Sequence, residues 1–433
     1  MKQIFFIVTA CFGTIGAMAE ETNALPTLTL TDAQALALRL HPQIASANYL
    51  ALAAEEVVKE TRAGFFPLVN LYGTAAGAGE EGTRILAGGL NNPTVYDRAA
   101  GGLQVNQLIT DFGRTANLTA SSKLQAQAER QNVNLTREQV LLDVDTAYFG
   151  ALGAQAVLQV AQQTINTRQL LLERVTELAT NQLRSELDVS FARVQLEQAR
   201  LMLERSQNDS AAAMATLSTA LGYGDYREFR LTEQPLDDIA GATNADVSEL
   251  VEAALSRRPE LLSLRDRREA ALRFARAQRD QRLPVIQAVG VAGEAPTHDS
   301  HLPDNYAAGG LELSVPLFAG GLYAARQHEA ELRAQSDTEQ LRSLEDNIIR
   351  DVRIAWLNLN NAQQQWHTTE DLVRNASQAF ELAQARYKNG ISSIVELSEA
   401  QLNLTSAQIA QANARYGVLI QQAGLDYQTG ALR

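Results

Sequence analysis

The 433-residue chain is one unit written twice. Pro42 and Pro259 stand 259 − 42 = 217 positions apart, and so do Pro67 and Pro284. Beyond the next loop the offset is 320 − 112 = 208. At that offset Phe112-Gly113 meets Gly320-Gly321, Ala147-Tyr148 meets Ala355-Trp356, and Asn181 meets Asn389. Ala192 likewise meets Ala400, and Leu196 meets Leu404. The change of nine falls between Gly73 and Asp97, so the first copy carries a longer loop there. A register held this far is not a coincidence of composition, and whatever one copy folds into the other must fold into as well.

Each copy repeats one order of elements. A capped helix opens it, at Thr31-Asp32 before Ala33 in the first copy and at Asp246 or Ser248 before Leu250 in the second. A second helix ends at a proline that cannot extend it, Pro67 or Pro284. Two strands follow around a Gly- and Pro-rich loop, at about 68–77 and 101–109, then at about 285–293 and 308–317. In the last of these Leu311, Leu313, Val315 and Leu317 alternate with Gly310, Glu312 and Ser314, so one face is apolar and the other polar. The long helical hairpins 114–220 and 322–427 come next. Their first arms, Arg114 to Asn181 and Leu322 to Asn389, contain no proline, and as continuous helix each spans about 100 Å. Apolar or small residues recur at steps of three and four, as in Leu341, Ile348, Val352, Ala355 and Leu359, and at the matching Val133, Val140, Val144, Ala147 and Ala151. That is a coiled-coil seam, duplicated, with Arg168 interrupting the first copy. The units are therefore residues 20–221 and 246–433, joined by a linker at 222–245.

Residues 1–19 have the form of a secretory signal peptide: Met1-Lys2, the apolar run Ile4 to Val8, and Ala17-Met18-Ala19. A rival reading takes Val8-Thr9-Ala10-Cys11 as a lipobox with Cys11 as a lipidated N-terminus. The longest later stretch without charge, Thr146 to Thr167, carries Gln155, Gln159, Gln162, Gln163 and Asn166, too polar for a bilayer helix. Entry into a membrane then requires a β-barrel. A formal net charge of −13 argues against a nucleic-acid partner. Cys11 is the only cysteine, and the five histidines are scattered, so no catalytic residue, cofactor or metal is expected. His298-Asp299-Ser300-His301 lies in a loop between strands without supporting ligands. Four strands cannot close a barrel, for which eight is about the minimum; three chains supply twelve.

The signal peptide, the duplicated helix–strand–strand–hairpin order, the strand-to-helix segments Leu108 to Arg114 and Pro316 to Gly321, and the hairpins Leu187 to Ala192 and Tyr387 to Ala400 together resemble the TolC family of outer-membrane efflux proteins. The resemblance implies a mainly α fold with a small β part. In it a homotrimer builds a 12-stranded β-barrel in Gram-negative outer-membrane lipid and a periplasmic α-barrel. It implies partners as well, a periplasmic adaptor protein and an inner-membrane pump or ABC transporter, with passive conduction and no enzyme chemistry. It places Glu396 and Glu399 in an acidic ring at the pore entrance, where the family usually carries Asp. It places Gln182, Leu183, Arg184, Lys388, Asn389 and Gly390 at hairpin tips that contact the adaptor. Asp145, aligned with Arg353, is expected to form charge pairs with it between neighbouring helices, with Asp143 aligned with Asp351 close by, and Tyr72, Tyr96 and Tyr306 are expected to sit at the membrane interface. Two other classes share some of these features. A periplasmic adaptor carries a signal and one long hairpin flanked by β-rich domains, and a structural envelope coiled coil lacks the alternating strands.

Overall fold

The computed structural model describes residues 25–77, 83–84, 94–95, 98–233, 246–297 and 303–432. The duplication is visible in the helix lengths. Helices α1 (Leu30–Leu40) and α5 (Val247–Arg257) have 11 residues each. Helices α2 (Pro42–Ala63) and α6 (Pro259–Asp280) have 22, and α3 (Arg114–Thr180) and α7 (Leu322–Lys388) have 67. The returning arms α4 (Glu186–Ala220) and α8 (Ile394–Thr429) have 35 and 36. Helix α1 starts earlier than expected. Thr29, not Thr31-Asp32, is its cap: its hydroxyl accepts from the Asp32 N–H at 3.1 Å and donates to the Asp32 carboxylate at 2.7 Å, a reciprocal box on the first turn. Asp246 caps α5 as its sequence suggests.

The long helices work in two tiers. Over its first half α3 packs between α2 and α6, with α7 beyond α6; over its second half α3 lies between α4 and α8, and α7 packs on α8. The buried side chains of this seam are the three-and-four set: Val133, Val140, Val144 and Ala151 on α3, with Leu341, Ile348, Val352 and Leu359 on α7. Arg168 is buried within it at 4% exposure, at a place where the second copy has Ala376. Its guanidinium reaches only the Ser398 carbonyl at 3.5 Å, and burial lowers its pKa to about 10.

Between the tiers lies a waist. The two-residue strands β1 (Thr27–Leu28) and β6 (Arg230–Leu231) pair in parallel there, so the linker returns to the start of the described chain. The buried Tyr148 hydroxyl donates to the Leu28 carbonyl at 2.8 Å and accepts from the Thr232 N–H at 3.1 Å. That closes the waist against α3 and satisfies a hydroxyl whose burial would otherwise cost energy.

At the far end strands β2 (Leu68–Ala76), β5 (Arg98–Thr110), β7 (Val285–Thr297) and β8 (Asn305–Ser314) form one antiparallel sheet in the order β2-β5-β7-β8. A small hairpin, β3 (Thr83–Arg84) with β4 (Thr94–Val95), lies in the first copy's longer loop. The β5–β7 ladder joins the two copies, and among the described residues β2 and β8 are left as unpaired edges. One row across the sheet is Tyr72, Gly102, Gly293 and Tyr306. The two phenols meet over the two glycines, hydroxyl to hydroxyl at 2.8 Å. A Cβ on Gly102 would lie 2.5 Å from the Ala292 carbonyl and 2.6 Å from the Tyr306 hydroxyl. By alternation this row shares its face with Asn70, Gln104 and Asn106, so Tyr72 and Tyr306 belong to the polar face and not to the apolar one with Leu71, Leu103 and Leu311. Tyr96 and the His298–His301 segment lie outside the described residues.

Each sheet-to-long-helix junction turns through two consecutive left-handed residues, Phe112-Gly113 (φ 55° and 107°) and Gly320-Gly321 (φ 58° and 82°). In the first copy Phe112 takes a conformation that favours glycine. Asp111 holds it there, accepting from the Gly113 N–H at 3.2 Å and the Thr115 N–H at 2.7 Å.

Gly293→Val should cost on the order of 3 kcal/mol, since the row cannot widen without breaking the ladder. Gly290→Val, with open space around its Cα, should be close to neutral. Thermal unfolding of the detergent-solubilised protein, followed by circular dichroism, separates the two.

Candidate functional site at the hairpin tips

The two hairpins turn within a few residues of each other's register. After α3, Gln182 takes φ 59°, and after α7, Gly390 takes φ 74°. Both turns close in the same way: the Leu183 N–H reaches the Leu178 carbonyl and the Ile391 N–H the Arg386 carbonyl, each at 2.9 Å. The first hairpin therefore keeps the glycine geometry with glutamine in it. Ser185 and Ser393 then cap α4 and α8, accepting from the Asp188 and Glu396 N–H groups at 3.3 Å. Leu183, Lys388, Asn389 and Gly390 are exposed, with Leu187 and Ile391 beside them also open.

Arg184 does not extend into solvent. Its guanidinium lies 4.4 Å from the centre of the Tyr387 ring and donates to the Tyr387 carbonyl at 2.9 Å, tying the first hairpin's turn to the end of α7. Below it Val175, Ala192, Ala383, Tyr387, Ile394 and Leu397 form a small apolar core shared by both hairpins. Burial raises the Tyr387 phenol, and Arg184 opposes that rise.

Glu396 and Glu399 are both exposed, one helical turn apart on α8. The Glu396 carboxylate is 3.2 Å from Arg386 of α7, and Glu399 joins no ion pair among the described residues. The two acids are thus unequal. Arg386 escaped the sequence reading, although a signal was present: residues 386 and 396 are equidistant from Ile391, the middle of the turn, and such residues face each other across a hairpin.

The expected pair of Asp145 with Arg353 is not formed within the chain. Asp145 is 5% exposed and accepts from the Gln34 side chain of α1 at 2.7 Å, whereas Arg353 is exposed on α7. The matching offset placed both residues at the same height on their helices, but α1 covers Asp145 while Arg353 is left exposed among the described residues. Asp143 accepts from Gln139 at 3.1 Å, and Asp351 pairs with the adjacent Arg350 at 2.7 Å. Among the described residues no cluster of three or more His, Cys, Asp or Glu could hold a metal, and no helix is long and apolar enough to cross a membrane.

The comparisons with known proteins agree with this arrangement. The model of the outer membrane efflux protein family matches residues 34–223 and 250–431, one block in each copy. The outer membrane protein TolC of Salmonella enteritidis is 26% identical over 396 residues, covering 88% of this chain and 77% of that protein. Among solved structures, a membrane protein from Pseudomonas aeruginosa superposes with a TM-score of 0.80 at 24% identity, covering 93% of each chain. The outer membrane protein VceC of Vibrio cholerae gives 0.78 at 19% identity, over 93% of this chain and 96% of that one.

Gln182→Gly should stabilise the first hairpin by about 1 kcal/mol, because glycine takes positive φ without a Cβ clash. Gly390→Val should destabilise the second by a similar amount or more. Urea melts of the two variants against the parent give the signs.

Proposed function

The chain belongs to the outer membrane efflux protein family, and we propose that it is a trimeric channel giving solutes passive exit across the periplasm and the outer membrane. The observation that carries this reading is the sheet with two free edges. A β-sheet in hydrocarbon must close on itself, because unpaired backbone groups there cost several kcal/mol each. With β8 of one protomer paired to β2 of the next, three four-stranded sheets become a 12-stranded barrel with no edge left. The apolar face, with Leu71, Leu103, Leu311 and Leu313 exposed in the single chain, then meets lipid. The same symmetry covers other exposed apolar side chains: Tyr49 and Leu50 on α2, and Leu317, Phe318 and Leu357 at and along α7.

Below the membrane the α2–α3–α6–α7 and α4–α3–α8–α7 tiers continue the wall as a helical tube. Energy comes from elsewhere, from an inner-membrane pump or ABC transporter of a tripartite efflux pump or type I secretion system. A periplasmic adaptor contacting the exposed tip residues Gln182, Leu183, Lys388, Asn389 and Gly390 links that partner to the tube. No covalent step is required of the channel. At the closed end the three copies of Glu396 and Glu399 gather negative charge around the axis and favour cations. Arg386 offsets the Glu396 charge, so Glu399 dominates the field.

In planar bilayers the purified protein should conduct with cation preference. Glu399→Gln should reduce that preference by roughly twofold or more, and Glu396→Gln by less. Equal effects remove the dominance of Glu399, and no effect from either variant removes the acidic entrance. Absence of conductance from a properly assembled trimer removes the channel.

A further inference from the structure

We propose that α7 docks on α2 of a partner subunit in the register that α3 keeps on α6, setting Gln340 against the partner's Ser46 and Asp337 against the partner's Leu50. The contact presupposes the trimer proposed above and fixes how its helices meet.

Duplication extends to packing. Between α2 and α3, Arg130 pairs with Glu55 at 2.6 Å, and between α6 and α7 Arg265 pairs with Glu345 at 3.2 Å. Carried back by the two repeat offsets, the second pair falls at 265 − 217 = 48 and 345 − 208 = 137. Residue 48 lies seven before Glu55 and residue 137 seven after Arg130, so both pairs sit on one antiparallel ladder, about two helical turns apart. The helix pairs of the two copies therefore share a register to the residue. Equivalent positions also face one side of the layer: Ala54 and Ala271, Ser122 and Ala330, and Glu129 and Asp337 line a single groove.

One boundary inside the chain joins copy to copy. There Arg267 of α6 pairs with Glu129 of α3 at 3.1 Å, and the Ser263 hydroxyl donates to Asn132 at 2.8 Å. The same offsets carry Glu129 and Asn132 to Asp337 and Gln340 on α7, and Arg267 and Ser263 to Leu50 and Ser46 on α2. Within one chain α7 and α2 cannot meet, because α3 and α6 stand between them. They are the free flanks of the layer, with Tyr49 72% and Leu50 61% exposed on α2 and Leu332 51% exposed on α7. A second copy of this chain fits them. Two-copy chains closed by a threefold axis set six like units around one ring, and even closure repeats one step between neighbours. Where β8 comes beside the partner's β2, α7 comes beside the partner's α2.

The two boundaries are chemically unlike. The one inside the chain carries the Glu129–Arg267 ion pair, a bond from Asn117 to the buried Asp280 at 2.8 Å, and one from Ser121 to the Ala270 carbonyl at 2.8 Å. Their counterparts are Asp337 with the partner's Leu50, Ala325 with the partner's Ala63, and Glu329 with the partner's Ala53. Glu329 is already paired with Arg333 at 2.8 Å. The boundary between chains thus rests on apolar burial, with Gln340 and the partner's Ser46 as its polar tie.

Ser46→Cys combined with Gln340→Cys, oxidised in outer membranes, should convert most of the protein to covalent trimer. It should yield at least about fivefold more than Ser46→Cys with Asn347→Cys, which lies about 10 Å out of register. If the double cysteine variant fails to assemble, a mutant cycle reads the same contact. Leu50→Arg rebuilds the Arg267–Glu129 pair between chains, so Asp337→Asn should lower the trimer's dissociation temperature in that background and not in the parent. A trimer in which position 340 cross-links no better than position 347, or a cycle without coupling, overturns the register and leaves the channel standing. A parent protein that is monomeric in mild detergent removes the trimer itself, and this contact with it.

Discussion

The structure depends on one constraint of backbone chemistry. A sheet that enters hydrocarbon must pair every N–H and C=O along its edges, and a four-stranded sheet leaves two rows of them open. Strands β2 and β8 are those rows. Among the described residues nothing else covers them, and the long helices leave the sheet through the left-handed junctions at Phe112-Gly113 and Gly320-Gly321. These open edges are what the proposed trimer would pair. The long helices carry the same requirement downward: at about 100 Å each they are too extended to shield their apolar faces within one protomer.

The two copies match in form and diverge in their side chains. Helix lengths match almost residue for residue, yet the residues that set chemistry differ at equivalent places. Gly390 turns one hairpin with ease and Gln182 turns the other under strain. Asp111 secures a junction that Gly320-Gly321 makes without help. Arg168 is a buried charge where the second copy has Ala376. Glu399 stands where the first hairpin has Phe191, while Glu396 matches the acid Asp188, and Arg184, which reaches across to Tyr387, stands where the second hairpin has Ser392.

Most of the architecture was legible because it rests on periodicity. The proline-free runs with their three-and-four steps marked α3 and α7, which end one residue earlier than expected, and alternation marked β8, which lies three residues earlier than expected. What periodicity does not carry is lateral position around a helix or across a sheet. Equal offsets put Asp145 and Arg353 at one height, but only the fold shows Gln34 against Asp145. Tyr72 and Tyr306 have the composition of an interface girdle, while the row through Gly102 and Gly293 puts them on the polar face. The Glu396–Arg386 pair was readable from the hairpin's symmetry; the Arg184–Tyr387 contact was not, because it joins two different hairpins.

Closure of the sheet between protomers is the claim on which the conduit stands. Cysteine is absent after Cys11, so introduced thiols report cleanly. The direct measurement pairs one cysteine at Ala307 on β8 with single cysteines stepped along β2 from Val69 to Ala75, oxidised in outer membranes and resolved by denaturing electrophoresis. Edge-to-edge pairing predicts a ladder that ends at a covalent trimer, confined to one register and its immediate neighbours. Cross-linking within single chains, or none at any register, would contradict closure and with it the tube.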